Sequence, residues 1–212
     1  MGEGVWLIIA SSLCLVSAAS AAPIIYDVTV DSSSILGTAG SFDFQFNPGP
    51  LVSQAASLQI LNFASDGTLA GGPTLTGDVA GALPSTLTFD NRTAFNDYFE
   101  NFTYGSRLSF EVSLFGPALS SPDGTSTSGS TFAFSMFSDL AGTIPVLTTD
   151  TTDGFAFTVD VNLNGSTTVT NFSPQTTVVP ETGPTVPEPG TLPLIASGVG
   201  LWLAFRSRQL RR

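Results

Sequence analysis

The chain has 212 residues, 17 acidic residues and a formal net charge of −11, and all six of its basic residues are arginine because it contains neither histidine nor lysine. These absences exclude a Ser-His-Asp triad, a histidine metal site, a Schiff-base lysine and a P-loop lysine. They also argue against a nucleic-acid partner, since six cations neutralise few phosphates. The length suits one domain with additional segments.

Residues 1–21 are predicted to be a signal peptide. An apolar run over 5–16 is too short to span a bilayer, and small residues follow it. Ala19-Ser20-Ala21 matches the A-x-A pattern, so we expect cleavage after Ala21. A signal peptide carries positive charge before its apolar run, whereas here Glu3 precedes the run and no Lys or Arg does. A misassigned start and a buried N-terminal helix therefore remain as alternatives. Cys14 lies in this segment, so the mature chain is expected to contain no disulfide.

Residues 22–172 are predicted to form an all-β domain, an antiparallel sandwich or jelly-roll-like fold of about eight strands. Apolar and polar residues alternate strictly over 42–46, 108–114 and 155–161, and a period of two is typical of half-buried strands. Weaker candidates cover 24–30, 57–63, 85–89, 130–137 and 167–172. This number of short strands at this spacing favours a sandwich.

Two turn sequences predict hairpins. Asn164-Gly165 suits a two-residue type I′ turn, because both residues tolerate positive φ. That turn would pair Phe157 with Phe172, Val159 with Thr170 and Val161 with Thr168. Asp66-Gly67 predicts a second hairpin that pairs Ala64 with Leu69.

One segment has the spacing of a helix. Phe95, Tyr98, Phe99 and Phe102 fall at i, i+3, i+4 and i+7, with Thr93 placed to cap the start and Gly105 to end it. We predict one short helix that packs this stripe against the domain; a ligand groove is the alternative.

The end of the chain divides into a linker and a tail. Residues 173–185, rich in Pro and Thr, are predicted to be an extended linker. The tail then has three parts in order: a proline motif over 186–190, an apolar run over 191–205 and an arginine-rich end over 206–212. An apolar segment followed by arginines stops in the membrane with the arginines in the cytoplasm. Fifteen residues are short for a permanent anchor, which favours a tail that is held and then removed, with a plain single-pass anchor as the alternative.

This order of parts resembles the PEP-CTERM sorting signal of Gram-negative bacteria. The resemblance implies recognition and cleavage by an exosortase-type membrane protease, and a host that makes extracellular polysaccharide. By position, the residues that match the recognition motif are Val186, Pro187, Glu188 and Pro189. The membrane segment corresponds to Leu192 through Phe205, and the basic end to Arg206, Arg208, Arg211 and Arg212.

The body also resembles one group of exported PEP-CTERM proteins whose own domain has no assigned activity. The similar stretches are 43–50, 74–79 and 154–159. This resemblance implies no catalytic residues.

Few residues of the body are suited to chemistry. Glu100 and Glu111 are its only glutamates, and a hydrolase that used two carboxylates would depend on them. We expect no enzyme and no cofactor. Ca²⁺ is the one candidate ion. Its candidate ligands are Asp150 and Asp153 in one loop and Asp90-Asn91 in another, because Ca²⁺ prefers hard oxygen ligands.

The sequence therefore predicts a non-enzymatic exported protein of the cell surface or extracellular matrix. It would be anchored transiently in the inner membrane, cleaved through its tail, and associated with extracellular polysaccharide. The alternative is a carbohydrate-binding module, with or without Ca²⁺. Such a module would rely on Tyr26, Tyr98 and Tyr104, because the body contains no Trp.

Overall fold

A computed structural model describes residues 22–181. The predicted signal peptide over 1–21 and the sorting signal over 186–212 lie outside the described residues. The folded unit ends at Pro180.

The described part of the chain contains thirteen strands, one short α-helix and a single 3₁₀ turn over Ser33–Ile35. The strands are β1 Ile24–Asp31, β2 Ala39–Pro48, β3 Ser57–Ser65, β4 Thr68–Leu69, β5 Thr74–Thr76, β6 Val79–Ala80, β7 Leu87–Asp90, β8 Asp97–Thr103, β9 Arg107–Phe115, β10 Ser130–Phe137, β11 Phe155–Val161, β12 Thr167–Asn171 and β13 Thr176–Pro180. The helix α1 covers Pro117–Ser120. Within residues 22–181 no helix is long and apolar enough to cross a bilayer.

The strands form two antiparallel sheets, as the alternating patterns predicted. Sheet A has the spatial order β13-β1-β9-β3-β7-β6, and sheet B has the order β12-β11-β10-β2-β8-β4, with β5 also paired to β8. The chain passes from one sheet to the other at both edges of the sandwich. At one edge β5 of sheet B is followed by β6 of sheet A, and at the other edge β12 of sheet B is followed by β13 of sheet A.

Phenylalanine fills the space between the sheets. Phe42, Phe44 and Phe46 of β2 are fully buried, and the ring of Phe44 meets Phe110 of sheet A edge-on with centroids 5.0 Å apart. Each such aromatic pair contributes about 0.5–1.5 kcal/mol beyond its buried area. Because these residues point inward, the alternating Ser41, Asp43 and Gln45 lie on the outer face of sheet B.

The helix predicted over 95–102 is wrong, because residues 97–103 form strand β8. Tyr98, Glu100 and Phe102 are all buried, with period two. The sequence misled because a charged residue, Glu100, occupies the middle of the inward face. β8 pairs with β2 in sheet B, and that placement overrides the helical spacing.

The predicted hairpin at Asn164-Gly165 exists with a different register. Phe157 pairs with Asn171 and Val159 with Val169, one residue away from the expected partners. The loop contains three residues, since the Asn162 N–H bonds to the Ser166 carbonyl. Only Gly165 has positive φ there, at 81°, whereas a type I′ turn requires it at both central residues.

Asp66-Gly67 does not close a hairpin. Ala64 pairs with Ser109 in sheet A, whereas Leu69 pairs with Phe102 in sheet B. The chain therefore crosses between the sheets at this turn. The Asp66 carboxylate accepts the backbone N–H groups of Ser106 and Arg107, which fixes the crossing against the β8–β9 turn.

The predicted linker over 173–185 begins too early. Residues 176–180 form β13, which pairs antiparallel with β1 and matches Val178 to Val28. Thr and Val favour a strand, and Pro180 is tolerated because β13 lies at the edge of sheet A. The domain thus continues past the predicted boundary at Phe172.

Candidate functional site

The residues predicted for sorting, 186–189, 192–205 and the arginines of 206–212, lie outside the described residues. The predicted sites in the body can be placed individually.

Asp150 and Asp153, the weak candidates for Ca²⁺, do not form a cluster. Asp150 accepts the N–H groups of Thr152, Asp153 and Phe155, so its carboxylate shapes its own turn. Those hydrogen bonds hold the pKa of Asp150 below its usual value. Among residues 22–181 there is no group of three or more carboxylates placed to hold a metal ion.

The Asp90-Asn91 turn, which the sequence also suggested for Ca²⁺, has a structural role. The Asn91 side chain donates to the carbonyl of Gln54 and to Ser130 Oγ, both at 2.8 Å, and accepts the N–H of Ala56. Asp90 forms an ion pair with Arg92 at 3.0 Å. This turn ties the loops at one end of the sandwich together.

The two glutamates of the body do not share a site. Glu100 is buried between the sheets, where its carboxylate accepts the Tyr98 hydroxyl and, at 3.2 Å, the N–H of Gly71. Glu111 lies on the outer face of sheet A and accepts from Asn62 at 2.7 Å. A two-carboxylate reaction centre built from Glu100 and Glu111 has no geometric support.

The three tyrosines of the body are 6%, 0% and 1% exposed at Tyr26, Tyr98 and Tyr104, so none of them presents a ring face to a sugar. The Tyr98 hydroxyl also accepts the N–H of Leu83, and burial raises its pKa above the ordinary value. Tyr98 and Glu100 together hold both ends of the segment between β4 and β7.

Sequence reasoning missed a pair of aspartates on the outer face of sheet B. Asp43 of β2 and Asp97 of β8 are each 8% exposed, and Asp97 pairs with Gln45, the residue two positions after Asp43 on the same face of β2. Burial, and then the neighbouring Asp97, raise the pKa of Asp43 well above its usual range. The alternation over 42–46 places Asp43 on the outer face of a strand, but the helical spacing over 95–102 conceals that Asp97 lies on a neighbouring strand.

A groove lies at the end of the sandwich that carries the β2–β3 and β11–β12 connections. Its walls are formed by Gly49 and Pro50 on one side and by residues 128–131 and 160–163 on the other. Hydroxyl, amide and carboxylate groups line it beside Leu163, which is 50% exposed.

Comparison of the chain with known protein families, with curated proteins and with solved structures found no match.

Proposed function

We propose that the chain is an exported surface or matrix protein whose β-sandwich is delivered through a removable PEP-CTERM tail. The observation that carries the proposal is the order of the three parts of the tail, Val-Pro-Glu-Pro, an apolar run and an arginine-rich end. This order combines a protease recognition sequence with a stop-transfer segment.

The boundary of the domain supports this order. β13 ends at Pro180, so five residues separate the folded unit from Val186. Proline restricts both itself and the preceding residue to extended conformations, which suits a protease substrate. In sequence the motif therefore begins after the last strand, and cleavage at it removes no residue of β13.

The test replaces Pro187, Glu188 and Pro189 with alanine in a host that has such a protease. We expect the cell-associated protein to keep its tail and to stay in the membrane fraction. Alanines at Thr182, Gly183 and Pro184 are the matched control and should be processed like the wild type. An unchanged product size and destination for the motif variant would refute the proposal.

A second candidate function is binding of a neutral polysaccharide in the groove beside Leu163. Hydroxyl and amide groups next to an apolar side chain suit sugar hydroxyls and C–H faces, and a neutral polymer is not repelled by the acidic surface. Leu163→Asp should weaken retention on host polysaccharide. Leu36→Asp, at the opposite end and 64% exposed, should not. Equal retention of both variants, or no retention of the wild type, would exclude this groove.

A further inference from the structure

The two sides of the sandwich end in edge strands of very different length. On one side the edge strands β4, β5 and β6 contain two or three residues each, and Gly71, Gly72 and Gly77, all with positive φ, separate them. Short, interrupted strands protect a sheet edge from pairing with another chain. On the other side, β12 of sheet B and β13 of sheet A have five residues each and no glycine. That side offers an edge long enough to receive another strand.

The outer edge of β13 is largely closed. Thr176, Val178 and Pro180 direct their backbone groups away from β1, because the alternate residues bond to it. The Thr176 N–H donates to the Ser173 carbonyl, and the Thr176 carbonyl accepts from the Asn171 side chain. Pro180 has no N–H. Within residues 22–181, Val178 is therefore the one outward position of β13 whose N–H has no partner.

The outer edge of β12 is open. The Phe172 N–H bonds to the Ala156 carbonyl of β11, so the even-numbered residues of β12 direct their backbone groups toward β11. The backbone groups of Thr167, Val169 and Asn171 consequently point away from the sheet. None of their N–H groups and carbonyls has a hydrogen-bond partner among residues 22–181. Such a row of free donors and acceptors pairs with water or with another strand.

β12 is fixed in place before any partner arrives. The Tyr26 hydroxyl of β1 bonds to Thr167 Oγ1 at 2.6 Å. The Asn171 amide donates to the Thr176 carbonyl of β13 at 2.7 Å. These two bonds tie the edge of sheet B to sheet A. A strand that is already ordered loses little conformational entropy when another strand pairs with it.

The distribution of charge favours a second copy of this chain as the partner. No residue from 161 to 180 is charged, although the chain carries a net charge of −11. The first carboxylate inward from the edge is Asp160, on β11 opposite Thr168. In a pairing through β12, three strand spacings, about 14 Å, would separate the β11 strands of the two copies. The Debye length at physiological ionic strength is about 8 Å, so two acidic copies meet here with little repulsion.

We propose that two copies of this chain pair edge to edge through β12, antiparallel about a two-fold axis at Val169. Val169 then faces Val169 of the second copy, and Thr167 faces Asn171. Each free N–H of one edge meets a free carbonyl of the other, and sheet B continues from copy to copy. Thr168 faces Thr170 on the exposed face, a favourable cross-strand pair. The contact is much smaller than a standard interface, so the dimer is weak and exchanges with the monomer.

Sedimentation equilibrium of the protein purified from the producing cell tests for this dimer. We expect a monomer–dimer equilibrium that the double substitution Thr168→Lys with Thr170→Lys weakens by about tenfold or more, because like charges then lie opposite each other twice. The matched control is Thr74→Lys with Thr76→Lys, which changes two exposed threonines of β5 at the other edge of sheet B. It makes the same change in net charge and should dimerise like the wild type.

Three results of this experiment would overturn the proposal. The first is a wild type that stays monomeric at every concentration up to its solubility limit. The second is association that persists in the β12 variant, which would place the contact elsewhere on the chain. The third is equal weakening by the β12 and β5 variants, which would show an effect of net charge alone. All four threonines are exposed, so the variants should fold like the wild type.

Cross-linking tests the register. The Cα atoms of residues 168 and 170 in opposite copies would lie about 4.5 Å apart, a distance that a disulfide spans. Thr168→Cys and Thr170→Cys are made as separate variants. Under mild oxidation their mixture should form a disulfide between position 168 of one copy and position 170 of the other, whereas neither variant alone brings its two thiols opposite each other. A mixture that cross-links no better than the single variants would contradict the proposal.

Discussion

At the scale of single residues, buried polar groups hold the connections of this sandwich in place. The Tyr98 hydroxyl accepts the N–H of Leu83, and the Glu100 carboxylate accepts the N–H of Gly71. Leu83 and Gly71 lie near the two ends of the segment 70–86, which connects β4 to β7. Asp66 binds the β8–β9 turn.

Tyr98→Phe should reduce the free energy of unfolding by about 1–3 kcal/mol, because it leaves a buried carboxylate and the Leu83 N–H without their partner. Tyr26→Phe is the comparison, since the Tyr26 hydroxyl bonds only to Thr167 Oγ1 in a part-buried position. It should cost less, about 0.5–1.5 kcal/mol. Urea denaturation measures both variants. An equal loss of unfolding free energy in the two variants would mean that Tyr98 does not hold the segment 70–86 in place.

Asp66 should contribute to acid unfolding. The Ser106 hydroxyl and the N–H groups of Arg107 and Ser106 lower its pKa to about 2 from 3.8. A depressed pKa in the folded state stabilises the protein above the unfolded value, and this contribution is lost as the pH falls from about 4 to about 2. Asp66→Asn and Ser106→Ala should both flatten the fall in stability over that range. An unchanged acid profile in both variants would contradict the assignment.

At the scale of elements, tight turns determine the register of the strands. Gly165 has φ of 81°, and an added Cβ would lie 2.8 Å from the Leu119 carbonyl oxygen. Asn164 has no positive φ, and its side chain accepts the Ser166 N–H at 3.0 Å.

Gly165→Ala should therefore destabilise the domain by about 1 kcal/mol or more, because L-residues avoid this conformation and the space is occupied. Asn164→Gly should cost less, since it removes only two exposed hydrogen bonds, both donated by Ser166. Thermal or urea unfolding of the two variants measures the difference. A larger loss for Asn164→Gly than for Gly165→Ala would contradict this account of the turn.

Some strands of this fold can be predicted from the sequence, and others cannot. Runs with strict alternation, such as 108–114, predicted buried strands correctly because period two has no helical counterpart. β8 was missed because Glu100 interrupts its apolar face, and β13 because its partner β1 is about 150 residues away in sequence. The Asp43–Asp97 pair depends on the placement of β8, so a local pattern could not reveal it.

At the scale of the whole molecule, β13 is the edge strand of sheet A and pairs with β1. The core residues Tyr26 and Val28 lie on β1, whose edge β13 covers. A chain ending at Phe172, the boundary predicted from sequence, should unfold at a clearly lower urea concentration than one ending at Glu181. It should also self-associate more, because an unpaired edge strand is exposed. Equal unfolding midpoints would show that β13 contributes little.

The intact mass of the protein recovered from the surface of the producing cell tests the proposed sorting most directly. Removal of the tail predicts a C-terminus upstream of Leu192, after the sandwich that ends at Pro180 and without the arginines of 206–212. Surface protein that still ends at Arg212 would contradict the proposal.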